Sequence, residues 1–169
     1  MAGDDRLTPA GKRLFKELDE LTKLQVRVGY QAGAASGEGG GASIVDIAAW
    51  NELGTEHSPP RPFLRQSVDK NMARITALCK EQLTRVVKGE ATARDALSVI
   101  GNAQVRLILE EMKSGDFAPN APITIEGGWM WRDGKAFFVK GKGSRPPLIN
   151  TGRLRQSLHF VIEDKKGDG

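Results

Sequence analysis

His57 and His159 are the only imidazoles in the chain, and metal chemistry would require Cys, His or acidic partners at ligand spacing beside them. None stands there, so each reads as a surface or loop histidine and no metal site is expected. Cys79 is the single cysteine, which excludes an internal disulfide. To act as a nucleophile it would need a neighbouring base, and no histidine lies near it in sequence; its place in a helical pattern predicts a buried, inert thiol. Adjacent carboxylates can divide acid and base roles. Here, however, Asp4-Asp5 is a terminal run, Glu110-Glu111 is read as facing away from an apolar helix stripe, and Glu163-Asp164 precedes a polar tail. Ser43, Ser67 and Ser157 read as caps or helix-surface residues. Gly37, Gly39 and Ala42 have the spacing of a dinucleotide fingerprint, whose first glycine must turn directly off a strand. Six residues separate Tyr30 from Gly37, and no lysine follows for a phosphate loop, so a flexible linker is the expectation. The chain is expected to be no enzyme and to need no cofactor.

The elements that would position any site follow from local signals. Thr8 before Pro9 starts a helix with Leu14, Phe15, Leu18 and Leu21 on one side. In "LQVRVGY" (24 to 30) Leu24, Val26, Val28 and Tyr30 alternate with polar positions, the pattern of a half-buried strand. "QAGAASGEGGGAS" (31 to 43) has too little apolar surface to offset its ordering entropy and is expected to be a mobile loop that orders on assembly. Ser43 caps a helix through Ile44, Ile47, Ala48 and Leu53 that stops at Gly54. Pro59, Pro60 and Pro62 stiffen the crossing that follows. From Phe63 to Lys88 the positions Leu64, Val68, Met72, Ile75, Cys79, Leu83 and Val86 predict one continuous helix, the longest of the fold. Gly89 ends it. Thr92 caps a second, with Ala93, Leu97, Ile100, Ala103, Leu107 and Ile108 in its stripe, and the two are expected to form an antiparallel hairpin.

The segment from Ala121 onward carries short β-rich runs. Asp133-Gly134 between "WMWR" and "KAFFVK" marks a two-residue hairpin turn. Thr151 is expected to cap one helical turn through Leu154 and Ser157, and Leu158, Phe160 and Ile162 alternate in a last strand. The reading is a single α+β domain, 1 to 169, with a small antiparallel or mixed sheet of three to four strands packed on a long helical hairpin. It begins with a helix over 1 to 23 and ends in a polar tail, 164 to 169.

Hydrophobic residues make up 39% and charged ones 27%, which is a globular composition. No apolar run approaches a membrane span, and the polar N-terminus has no signal-peptide pattern, so a soluble cytoplasmic protein is expected. Net charge is +4, and the whole excess falls in residues 121 to 169. Trp129, Trp131, Phe137 and Phe138 interleave there with Arg132, Lys135, Lys140, Lys142 and Arg145, which could stack on and neutralise a single-stranded nucleic acid. Strand alternation puts Trp129 and Trp131 on one face, and the expectation is that they pack inward with Phe138 and hold the hairpin against the helices.

"AAWNELGT" (48 to 55), a short gap "EHS" and then "PPRPFLRQSV" (59 to 68) at the head of a helix resemble the tail-completion and neck proteins of long-tailed bacteriophages. The C-terminal "GGWMWRDGKAFFVKGKGSRPPLINTGRLRQSLHFVIED" (127 to 164) is similar to the end of the same virion-morphogenesis group, with Asn150 where many members carry aspartate. The resemblance spans most of residues 24 to 164. It implies a non-enzymatic α+β subunit of a homo-oligomeric, sixfold ring, working as tail terminator, tail completion or neck protein in head–tail joining. Implied partners are the connector or head-completion protein and the tail tube or terminator proteins, with genomic DNA passing through the lumen and no membrane. The implied location is the virion, after assembly in the host bacterial cytoplasm. The match suggests Arg61, Phe63, Leu64, Arg65, Arg153 and Arg155 as assembly-interface residues; the alternative is that Phe63 and Leu64 enter the core of the single chain, with only Arg61 and Arg65 exposed.

Overall fold

The computed structural model describes residues 7–31, 42–56, 58–141, 143, 148 and 152–165. Most of the glycine-rich stretch, His57, the "SRPPLINT" run apart from Leu148, and the end of the polar tail lie outside these residues. The described elements are α1 (Pro9–Lys23), β1 (Leu24–Gly29), α2 (Ile44–Leu53), α3 (Phe63–Asp69), α4 (Met72–Val87), α5 (Ala93–Ser114), α6 (Pro122–Glu126), β2 (Gly127–Arg132), β3 (Lys135–Lys140), α7 (Arg153–Gln156) and β4 (His159–Asp164). The fold is α+β, with helices and a small amount of antiparallel sheet. The four strands among the described residues form two pairs, β1 with β4 and β2 with β3, each a two-stranded sheet.

The chain divides into two compact units. One contains the residues up to Gly29, Ser67–Ile108 and the chain from Leu158; the other contains Tyr30–Gln66 and Leu109–Ser157.

In the first unit the local start signals act as their chemistry dictates. The Thr8 hydroxyl accepts from the Gly11 N–H at 3.2 Å, and Pro9 opens α1. At the head of α5 the Asp95 N–H donates to Thr92 Oγ1, and the Asp95 carboxylate accepts from the Thr92 N–H and hydroxyl. Glu17 from α1 accepts the Ala93 N–H at 2.7 Å, so two carboxylates satisfy N–H groups that no helical carbonyl reaches. Antiparallel pairing sets Val26 against Ile162 and Val28 against Phe160. This apolar sheet face meets α5 at Gly101, where an added Cβ would lie 2.5 Å from the Phe160 ring and 3.0 Å from Val26. Glycine is what lets helix and sheet approach so closely.

The continuous helix expected over 63 to 88 is instead two, and the longest helix is α5, of 22 residues. Asn71 makes the break. Its side-chain amide donates to the Ser67 carbonyl at 2.9 Å, taking the acceptor that its own N–H would use in an unbroken helix. That N–H turns to the Val68 carbonyl, three residues back, at 3.0 Å, and the backbone leaves helical geometry at ψ 14°.

Beyond the break, α4 is turned by about one position from the expected stripe. Gln82 and Val86 are buried and Ile75 and Leu78 half-buried, while Met72, Cys79 and Leu83 are exposed. Cys79 is therefore a surface thiol, not a buried one; Gln82 occupies the inward place and accepts from Arg85 at 3.4 Å. Glu111 is also misplaced by the sequence reading. It is buried, because four residues after Leu107 it shares that residue's face of the helix.

In the second unit, Ser43 and Asp46 form a reciprocal capping box at the start of α2. The "PITIE" segment, read as part of a β-rich run, is the short helix α6, started by Pro122 at its first position and stopped at Gly127, whose φ is 80°. The single turn α7 has Gly152 at its N-cap, without a side-chain cap bond.

Candidate functional site

The proline bracket is a closed structural unit. Within it, the Arg61 N–H donates to the Asn51 carbonyl at 2.6 Å, and Thr55 and Ser58 bridge the gap between the two halves of the motif. Gly54, with φ 79°, sits where a Cβ would come within 2.9 Å of the Pro60 nitrogen, so the left-handed stop and the proline run fit only with glycine there. Glu52 reaches forward: its two carboxylate oxygens accept the N–H groups of Leu64 and Arg65 at 2.8 and 3.0 Å. A carboxylate at the positive end of α3 fixes how that helix leaves the prolines. Sequence reasoning missed Glu52; a glutamate just before a Gly-Pro crossing is the signal that could have found it.

Arg61 and Phe63 have turned inward. Arg61 is 8% exposed, and its guanidinium donates to the carbonyls of Ala118 and Pro119 and to Asn120 Oδ1 at 2.9 to 3.3 Å. Burial pushes its pKa down from the usual arginine value. The Phe63 ring is fully buried, edge-on to Tyr30 with centroids 6.4 Å apart. Of the six interface candidates, these two are interior groups of the single chain. Leu64 and Arg155 are half-buried, and Arg65 and Arg153 are exposed. The phenol of Tyr30 is pushed well above its ordinary pKa, first by burial and then by the Glu52 carboxylate.

The hairpin departs most from expectation. Asp133 and Gly134 both have positive φ, 51° and 74°, as the Asp-Gly signal requires for a primed two-residue turn. Trp129 faces Phe138 across the strands, Trp131 faces Ala136, and Gly127 faces Lys140; alternation therefore places both tryptophans, Phe138 and Lys140 on one face. The expected burial of its rings is not found. Trp129, Trp131 and Phe138 are 69, 75 and 59% exposed, and the Trp129 and Phe138 rings meet edge to face at 5.6 Å. On the opposite face Met130 and Phe137 are also exposed. α6 packs on both strands of the hairpin, with Ile123 beside Gly128.

Among the described residues no group of His, Cys, Asp and Glu could hold a metal ion, and no helix is long and apolar enough to cross a membrane. Compared with family models, curated proteins and solved structures, the chain matches none.

Proposed function

We infer that this chain is a non-enzymatic structural subunit at the head–tail interface of a long-tailed phage or prophage. It builds or completes a ring, as tail terminator, completion or neck protein, that joins the tail to the capsid connector. The observation that carries the reading is the proline bracket. The pieces whose order makes the resemblance, "NELGT" and "PPRPFLR", are bonded to each other through Glu52, Asn51 and Arg61, so the motif is one physical unit. The exposed hydrophobic side chains on α2, α4 and the hairpin support a chain that associates with others, since a soluble monomer rarely presents so much apolar surface without a partner. The test is complementation of a phage or prophage lacking the gene. Filled heads and finished tails should accumulate unjoined and become whole particles when the purified protein is added. Normal particles formed without the chain would contradict the reading.

The exposed rings also favour a second reading, a nucleic-acid module in which Trp129, Trp131 and Phe138 stack bases and Lys135 and Lys140 meet phosphates. Binding to an oligonucleotide with a steep salt dependence would support it over the first.

A further inference from the structure

Two unlike surfaces of the chain have complementary chemistry. One is a groove of about 330 Å³ walled by Ile75 and Leu78 of α4 and by Val99, Ile100 and Leu107 of α5, large enough for one flat aromatic ring. Arg74, Glu81 and Arg106 also line it. The other is the hairpin face, where Trp129, Trp131, Phe138 and Lys140 lie together. Its three exposed rings present roughly 400 Å² of aromatic surface, about half of what one partner contributes to a standard interface.

We propose that the β2–β3 hairpin of one copy docks in the α4–α5 groove of a second copy, with the Trp131 ring in the groove. Arginines at a groove wall suit an indole face, and Glu81 supplies the carboxylate for Lys140. This rests on the ring-subunit reading, because a contact between two different faces repeats from copy to copy and can close, whereas hairpin meeting hairpin would stop at a twofold dimer. A nucleic acid would stack on the same rings but leave the apolar groove unfilled, so the second copy is the better match.

The experiment is sedimentation velocity on the full chain. Trp131→Ser alters a ring that is 75% exposed, and Val99→Lys alters a groove residue that is 38% exposed, so at concentrations where the parent is monomeric both variants should keep its melting temperature. Each should weaken self-association about tenfold or more. Mixed in equal amounts they should form a two-chain species and nothing larger, because only one of the two faces is intact in each copy. Glu81→Lys and Lys140→Glu should each weaken assembly, and the two together in one chain should restore it. Undiminished assembly of Trp131→Ser, or a full-size ring from the mixture, would overturn the proposal while leaving the ring reading intact. A parent chain that stays monomeric at every concentration would contradict the ring reading itself. A monomer that binds oligothymidine through Trp131 would assign the hairpin to nucleic acid.

Discussion

Arg61 lies against carbonyls, not solvent, and this decides what its mutation does. Arg61→Ala removes three hydrogen bonds made by a charged, buried group and leaves a cavity where the side chain lay, so a loss of about 2 to 4 kcal/mol is expected by urea denaturation. Arg65→Ala, at an exposed position, should stay within about 0.5 kcal/mol of the parent. Equal stability of the two variants would refute the buried-staple role. Arg61→Lys should not restore the parent, because an ammonium cannot reproduce the fork of planar donors. Tyr30 offers a second test at the same scale, since it is the only tyrosine in the chain. Its folded pKa is raised, so the neutral phenol contributes stability at pH values below about 10, the unfolded value, and that contribution is lost as pH rises toward the folded value. Tyrosinate absorbance should therefore appear only well above pH 10 in the folded protein and near pH 10 in urea. An ordinary titration in the folded state would show the phenol to be solvated. Phe63 could be read as a core residue, but the burial of Arg61 was not legible: "PPRPFLR" announces a bend, and the carbonyls that receive Arg61 lie more than fifty residues away.

Elements whose ends are set within three or four residues were the legible ones. Thr8, Ser43 and Thr92 cap as read, and Asp133-Gly134 turns as read, because each signal is a local hydrogen bond or a local φ requirement. The α4 stripe misled because one side-chain amide, Asn71, outcompeted the backbone for a carbonyl, and interval counting cannot see that competition. Gly101 was invisible for a different reason: inside a helix it looks like a weak point, and only the sheet beneath it gives it a purpose. Gly101→Ala should improve helix propensity yet destabilise the protein by about 1 to 3 kcal/mol through overpacking on Phe160 and Val26. A stabilising Gly101→Ala would mean that the helix and sheet stand further apart. The α5 cap carries a pH signature. Hydrogen bonds from the Thr92 hydroxyl and then its N–H hold the Asp95 carboxyl below its ordinary pKa, so its contribution is present above the unfolded value of about 3.9 and is lost as pH falls through the lower, folded one. The melting-temperature gap between the parent and Asp95→Asn should therefore be open at neutral pH and close below about pH 4. A gap that does not change with pH would exclude the carboxylate as its source.

At the scale of the whole molecule, the surface carries the functional argument. The α+β class was legible from the succession of helical and alternating patterns, but the division of four strands into two pairs was not, because strand pattern specifies a face and not a partner. The outward tryptophans were missed for a related reason: alternation shows that Trp129 and Trp131 share a face but not whether anything covers it. With Trp131 75% exposed, Trp131→Ala should melt within a degree or two of the parent at concentrations where the parent is monomeric, whereas a buried ring would cost about 3 to 5 kcal/mol. A large drop in melting temperature would return the ring to the core. An exposed aromatic face, an apolar groove and a motif locked by its own hydrogen bonds support the proposal of a subunit whose work is to meet other subunits. Mass photometry of the purified 18.3 kDa chain over a range of concentrations tests that claim most directly. The account predicts a discrete closed particle of fixed copy number, six by resemblance, forming at the expense of monomer; a single monomer peak at every concentration, with or without heads and tails to join, would contradict it.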